Sequence, residues 1–221
     1  MYLLSNQSEM SLTIKPLIPE RIDDYFDFFD NRAFSDGSTF YPCYCNAFNL
    51  SREQINRELF ARAKEGNGST EEWRKILRES AWRMVLDGSV QGYLAYDGEL
   101  AVGWCNANDR LNYYRVGEFD MDSIPEDSAP SDCPGRGWIK SIVCFEISPA
   151  YRGMGIAGKL LEQVCKDAAE EGYSFVEAYP IDQTEKPVLA FTGPLRLYEK
   201  AGFAEYTRQG STIVVRKALG K

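Results

Sequence analysis

The run Ile139-Lys-Ser-Ile-Val-Cys-Phe-Glu-Ile147, followed at once by Ser148-Pro-Ala-Tyr-Arg-Gly-Met-Gly-Ile-Ala-Gly158, decides how the rest of the chain is read. The first part is almost continuously apolar, as expected of a central strand buried on both faces. The second part crowds Gly153, Gly155 and Gly158 around the start of an apolar stripe at helical spacing, Ile156, Leu160, Leu161, Val164, Cys165 and Ala168, that stops at Gly172. Strand, glycine loop and helix therefore follow one another without a gap.

Downstream, Ser174 to Tyr179 reads as a strand and Thr192-Gly-Pro194 opens a short helix, with proline where a missing N–H costs little. Phe203 to Thr207 and Thr212 to Arg216 form a last hairpin. Upstream, Val90 to Tyr96 and Glu99 to Asn106 are β-rich runs joined by Asp97-Gly98, a strong hairpin signal. The polar stretch Arg110 to Arg136 is expected to be a long loop. Further back, Ser69 with Glu72 and Ser51 with Gln54 resemble capping boxes that open two helices. Ile22, Tyr25, Phe26 and Phe29 mark an earlier helix over Pro19 to Asp30, and Ser11 to Lys15 alternates like a strand. The order implies one α/β domain, residues 1–221, around a mixed sheet.

Composition removes several kinds of chemistry. The 221 residues contain no histidine, so no Ser-His-Asp or Cys-His nucleophile and no His-based zinc site exists in this chain. Any base is a carboxylate, a perturbed Cys, Tyr or Lys, an amine terminus or a water. A formal charge of −8 argues against nucleic acid, since phosphates would be repelled, and favours cationic small molecules. Nothing in Met1 to Pro16 resembles a signal peptide, and no apolar run approaches the roughly 18 residues of a membrane span. Six cysteines are too sparse for a disulfide framework, which points to a reducing, cytoplasmic compartment.

Two readings of the glycine loop compete. Gly153-x-Gly155-x-x-Gly158 formally matches a dinucleotide fingerprint, with Glu177 about 20 residues on as the ribose-binding acid. Such a strand runs almost directly into its first glycine, whereas Ser148 to Arg152 intervene here, and no βαβ alternation precedes it. The other reading is Arg152-x-x-Gly155-x-Ala157. It resembles the Gcn5-related N-acetyltransferase (GNAT) superfamily, as do Ile142 to Ile147 as a fourth strand, Pro149-Ala-Tyr-Arg-Gly153 as a lead-in, and Leu197-Tyr-Glu-Lys-Ala-Gly-Phe203 as an ending. The likeness covers Ile139 to Phe203 closely and Val90 to Asn106 loosely. The chain also resembles a bacterial subset with a Cys-aromatic-Cys segment (Cys43-Tyr-Cys45), a Gly-Trp pair (Gly103-Trp104) and Glu177 to Pro180.

That resemblance implies a mixed, mostly antiparallel sheet with splayed central strands flanked by helices. It implies acetyl-CoA as co-substrate, no metal, and direct attack of an amine on the thioester in a ternary complex. Residues 11–138 would shape the acceptor site and residues 139–217 the acyl-CoA core. The backbone of Phe145, Glu146 and Ile147 would pair with pantetheine like an extra strand. Arg152, Gly153, Met154, Gly155, Ile156, Ala157, Gly158 and Lys159 would hold the pyrophosphate, for which a helix start supplies N–H donors and a favourable dipole. A loop that merely starts a helix is the plainer alternative.

By the same resemblance Tyr198 protonates the CoA thiolate; otherwise it is an amphipathic tyrosine packed on the sheet. Some members carry a basic Glu just before the apolar run, where this chain has Lys140-Ser141. Glu146, expected on the same face as Ile142 and Cys144, is the leading base candidate, with Glu177 and Glu118 behind it and a water relay equally open. An Asn before the last helix, frequent in the family, is missing from Pro187 to Pro194. Cys43, Cys45, Cys105 and Cys133 fit no common zinc spacing; small pocket or core residues, or a reactive thiol, are the remaining readings of the pair. Tyr41, Tyr44, Phe48, Trp104, Tyr113 and Tyr114 are acceptor-pocket candidates that could equally be core. The expected partner is a small amine or peptide, with no nucleic acid and no membrane, and a homodimer is compatible. A catalytically silent acyl-CoA sensor is the rival from another class.

Overall fold

The computed structural model describes residues 11–38, 41–66, 68–116, 119–121, 124, 138–180, 191–209 and 212–220. Its strands are β1 (Leu12–Pro16), β2 (Gly92–Asp97), β3 (Leu100–Asp109), β4 (Arg115–Val116), β5 (Phe119–Asp120), β6 (Ile139–Ile147), β7 (Phe175–Ala178), β8 (Ala204–Gln209) and β9 (Thr212–Ala218). Seven of them form one sheet in the order β1-β2-β3-β6-β7-β9-β8. Only β6 and β7 run parallel; the other neighbours are antiparallel. The small β4–β5 ribbon stands apart, in a stretch that sequence alone reads as loop.

The helices are α1 (Ile22–Asn31), α2 (Arg52–Gln54), α3 (Ala61–Glu65), α4 (Thr70–Leu86), α5 (Ile156–Glu170) and α6 (Leu195–Lys200). They start where the side chains dictate. Ser51 and Gln54 form a full capping box, and Ser69 accepts the N–H of Glu72 at α4. A π-helical stretch, Ile55–Phe60, joins α2 to α3 and is not foreseen by the 3.6-residue pattern. Gly98, with φ of 60°, opens the tight turn between β2 and β3, as a two-residue hairpin loop requires.

The sheet carries a core on each face. Tyr25, Phe26, Phe28 and Phe29 of α1, with Ile76, Met84 and Val85 of α4, cover one side. Ile156, Leu160, Leu161, Val164, Cys165 and Ala168 of α5, with Tyr198 of α6, cover the other. Burial of this apolar area from water is what holds the layers together.

Two irregularities position the functional site. Along β6, Ile139 to Ile142 pair with Phe175 to Ala178, but β7 then ends, so among the described residues Val143 to Ile147 have no strand partner on that side. On the other edge, the β3 register slips between Asn106, opposite Cys144, and Ala107, opposite Ile142, leaving Val143 as a bulge. Alternation breaks there. Ile142 belongs to the α5-side core and Cys144 to the α1-side core, so Glu146 shares a face with Cys144 but not with Ile142, contrary to the expectation from strict alternation.

Candidate functional site

The open edge of β6 leads directly into the glycine loop. Ser148 N–H donates to Val102 O at 3.0 Å, Pro149–Tyr151 make a 3-10 turn, and Gly153 and Gly155 take φ of 80° and 81°. Those left-handed values strain any residue with a Cβ, and Gly155 uses its own to set the first turn of α5. No atom of the described chain lies within 4 Å of where a Cβ at either glycine would stand. The first turn of an α-helix leaves its leading N–H groups without intrahelical partners, and α5 begins beside the end of the β6 edge. Gly103 holds this helix start against the sheet: a Cβ there would lie 2.9 Å from Ile147 Cδ1 and 3.1 Å from Ile156 Cγ2.

The remaining residues expected at the loop divide. Ile156 is buried against the sheet, while Met154 is exposed and Lys159 points to Glu162 at 2.8 Å. Arg152 does not reach forward over the loop. Its guanidinium bridges Asp36 Oδ2 at 2.6 Å and Glu146 Oε1 at 3.3 Å, and its Nε–H donates to Ile147 O at 3.1 Å. Asp36 carries no motif, and its pairing with Arg152 is not legible in the sequence.

Glu146 sits opposite Trp104 in the β3 register, its side chain 13% exposed. Burial pushes its carboxyl up from 4.5 to about 7, against the pull of Arg152 and with help from Asp36. The structure thereby puts a carboxylate that titrates near neutrality beside the unpaired edge. Tyr198 lies on the other face of the sheet. It is fully buried, its hydroxyl donates to Thr192 O at 2.5 Å, and its ring centroid stands 6.4 Å from that of Phe145. Burial holds the phenol well above its ordinary value, so it stays protonated at neutral pH. Acid and base candidates therefore flank the same strand from opposite sides.

Other expected residues settle into supporting roles. Glu177 is sealed inside, paired with Arg216 at 2.5 Å and Arg110 at 3.7 Å and accepting from Tyr179 OH. A carboxylate held by two guanidiniums is a structural element, and the base role is not supported for it. Lys140 turns to Glu171 at 2.6 Å, and Ser141 meets Tyr179 OH at 2.8 Å. Of the aromatic pocket candidates, Trp104, Tyr44 and Tyr113 are core residues, with Tyr44 OH on Asp30 and Tyr113 OH on Asn106. Phe48 is half-buried, 5.9 Å from the Phe191 ring, and Tyr41 and Tyr114 are exposed. Cys105 lies on the α5 side and Cys45 on the α1 side, so these two cannot share a metal. Among the described residues no group of Cys, Asp or Glu is placed to hold one. Glu118, Cys133 and most of the stretch before Pro194 lie outside the described residues.

A glycine loop at the end of a splayed strand agrees with what the whole sequence matches. The family model for the acetyltransferase (GNAT) family aligns with residues 53–203, more than half of the chain. The chain belongs to the GNAT acetyltransferase family. Solved structures of GNAT type are also similar to it. A PaiA N-acetyltransferase from Thermoplasma acidophilum in complex with coenzyme A is 14% identical, covers 95% of this chain and 99% of its own, and gives a TM-score of 0.49. The ribosomal-protein-S18-alanine N-acetyltransferase from Escherichia coli is 12% identical over 95% of each chain, with a TM-score of 0.47. A phosphinothricin N-acetyltransferase homologue is 14% identical over 96% of this chain and all of its own, with a TM-score of 0.48. No curated protein matches. In this GNAT chain no described helix is long and apolar enough to cross a membrane.

Proposed function

We propose that this GNAT protein transfers the acetyl group of acetyl-CoA to a primary amine by direct attack within a ternary complex. The observation that carries the reading is the open edge of β6, with the glycine loop at its end and Glu146 and Tyr198 on its two faces. The N–H groups of Gly153 to Gly158 hold the pyrophosphate at the start of α5. The backbone of Phe145 to Ile147, on the side away from β3 and once Arg152 has released Ile147 O, pairs with the pantetheine amides and lays the thioester along that edge. Arg152 leaves Asp36 and Glu146 to meet the phosphates.

The acceptor approaches from the α1 face. An ammonium, with pKa near 10, first gives a proton to the Glu146 carboxylate. The neutral nitrogen attacks the thioester carbonyl, the C–S bond breaks as the nitrogen passes its second proton to water, and the departing thiolate takes the Tyr198 proton, which solvent restores. Once Arg152 has turned away, Asp36 and Glu146 leave two carboxylates facing the acceptor side. With the net charge of −8, they favour a small cationic amine over an acidic acceptor.

Thermal unfolding with acetyl-CoA, CoA and NADH in separate samples is the first test. A ligand at 100 times its Kd adds about 2.7 kcal/mol, a rise of roughly 5–10 °C for a chain of this size. Both CoA species are expected to give that rise, Gly155→Val to abolish it, and a panel of amines to release free CoA thiol. No shift with either CoA species would remove the reading. A shift without thiol release from any amine would leave the silent sensor in its place.

A further inference from the structure

The acyl transfer above leaves a group of cysteines on the α1 face of β6 without a task. Cys45 Sγ and Cys144 Sγ are 3.3 Å apart, although the residues are separated by 99 positions. A disulfide bond is about 2.05 Å long, so closing the pair needs a shift of about 1 Å. Cys43 completes the set: its sulfur accepts the Cys45 N–H at 3.3 Å, and the two thiols hydrogen-bond to each other. Exposure is graded along this row. Cys43 is half-buried, whereas Cys45 and Cys144 are 3% and 4% exposed.

The backbone of Cys45 is fixed in place rather than left to drift. Its φ of 49° is the one positive value at a non-glycine position among the described residues. Its carbonyl takes the Asn106 Nδ2–H at 2.7 Å, and Asn106 Oδ1 in turn accepts from Tyr113 OH at 2.7 Å. The segment after α1 is thus pinned over β3 with one thiol aimed at the central strand.

We infer that Cys43, Cys45 and Cys144 form a reversible thiol–disulfide site, at which a peroxide enters at Cys43 and the lasting product is a Cys45–Cys144 disulfide. The Cys43 thiolate attacks the peroxide O–O bond, giving a sulfenic acid and hydroxide. The Cys45 sulfur displaces the sulfenic oxygen as water and forms a Cys43–Cys45 disulfide. Cys144 then attacks Cys45 Sγ, and Cys43 leaves as a thiolate that takes up the proton Cys144 gave away. Two thiols and one peroxide become one disulfide and two waters. The bond ties the segment after α1 to the strand that carries Glu146, two residues further on and on the same face. The hydrogen bond to Cys45 and then burial hold the Cys43 thiol well above its ordinary value, so the reaction is slow at neutral pH and faster at pH 9.

The full chain, treated with hydrogen peroxide and digested with trypsin without reduction, tests this directly. Peptide 33–52 carries both Cys43 and Cys45, and peptide 141–152 carries Cys144. The expected product is these two peptides joined with loss of two hydrogens, undone by dithiothreitol, in a protein whose Tm has risen by roughly 10 °C. Cys43→Ser is expected to form the same link at least tenfold more slowly, which also assigns it to Cys45. A folded chain that yields only Cys43 sulfinate, or a final Cys43–Cys45 bond with Cys144 free, would overturn the inference. So would Cys43→Ser reacting as fast as the parent. Masses and Tm need no acetyl-CoA, so this outcome is independent of the acyl-transfer reading.

Discussion

Replacing Glu146 by glutamine separates chemistry from stability at one position. The folded carboxyl sits at about 7 against 4.5 in the ordinary state, chiefly because burial disfavours its charge. Between those values the folded protein binds a proton that the unfolded chain has lost, so stability falls as pH rises through this window. At 1.36 kcal/mol per pKa unit, the full cost of ionising Glu146 is about 3 kcal/mol above pH 8 and vanishes below pH 4.5. Glu146→Gln never ionises. It is expected to raise Tm by about 6–12 °C at pH 8.5 and to leave it nearly unchanged at pH 4.5. The same variant loses the proposed base, so kcat/KM is expected to fall by about 10²- to 10⁴-fold. In the parent, kcat/KM for an ammonium acceptor climbs with pH to a bend near 7. Asp36→Asn removes a neighbouring negative charge and moves that bend down. Calorimetry at the two pH values with a thiol-release assay reads every part. A variant that keeps its activity within threefold, or gains equal stability at both pH values, would refute the reasoning.

Two further outcomes follow from the same geometry. Tyr198→Phe removes the proton proposed for the CoA thiolate and leaves the Thr192 carbonyl without that donor. It is expected to lower kcat at least tenfold with the Kd for CoA unchanged, at a stability cost of about 1–2 kcal/mol, measured by steady-state kinetics and denaturant titration. Glu177→Gln strips the charge from a fully buried partner of Arg216 and should cost roughly 3 kcal/mol. With Glu146 as the proposed base, the bend near pH 7 is expected to persist in that variant; its loss would move the proton transfer from Glu146 to Glu177.

Local rules made most of the fold legible. Ser51 with Gln54, Ser69, Gly98 and Gly172 act within a few residues, so their capping and turning roles survive folding unchanged. The continuous apolar run of β6 and the apolar stripe of α5 fell where the sequence put them, and the glycines between them take the two left-handed φ values that only glycine adopts without strain. The π-helical stretch at Ile55–Phe60 escaped because an i→i+5 turn leaves no distinct apolar period.

What the sequence determined by itself is the order of elements, the glycine loop between β6 and α5, and the short set of residues able to move protons in a chain without histidine. What only the tertiary structure decided is which of those residues meet. The bulge at Val143 takes Glu146 off the face of Ile142. Arg110 and Arg216 claim Glu177, Asp36 claims Arg152, and Cys45 comes to rest against Cys144. Each of these is a contact between distant segments, fixed by strand register and by how two cores pack against one sheet. Neither register slip nor packing leaves a mark in the local pattern that a sequence displays.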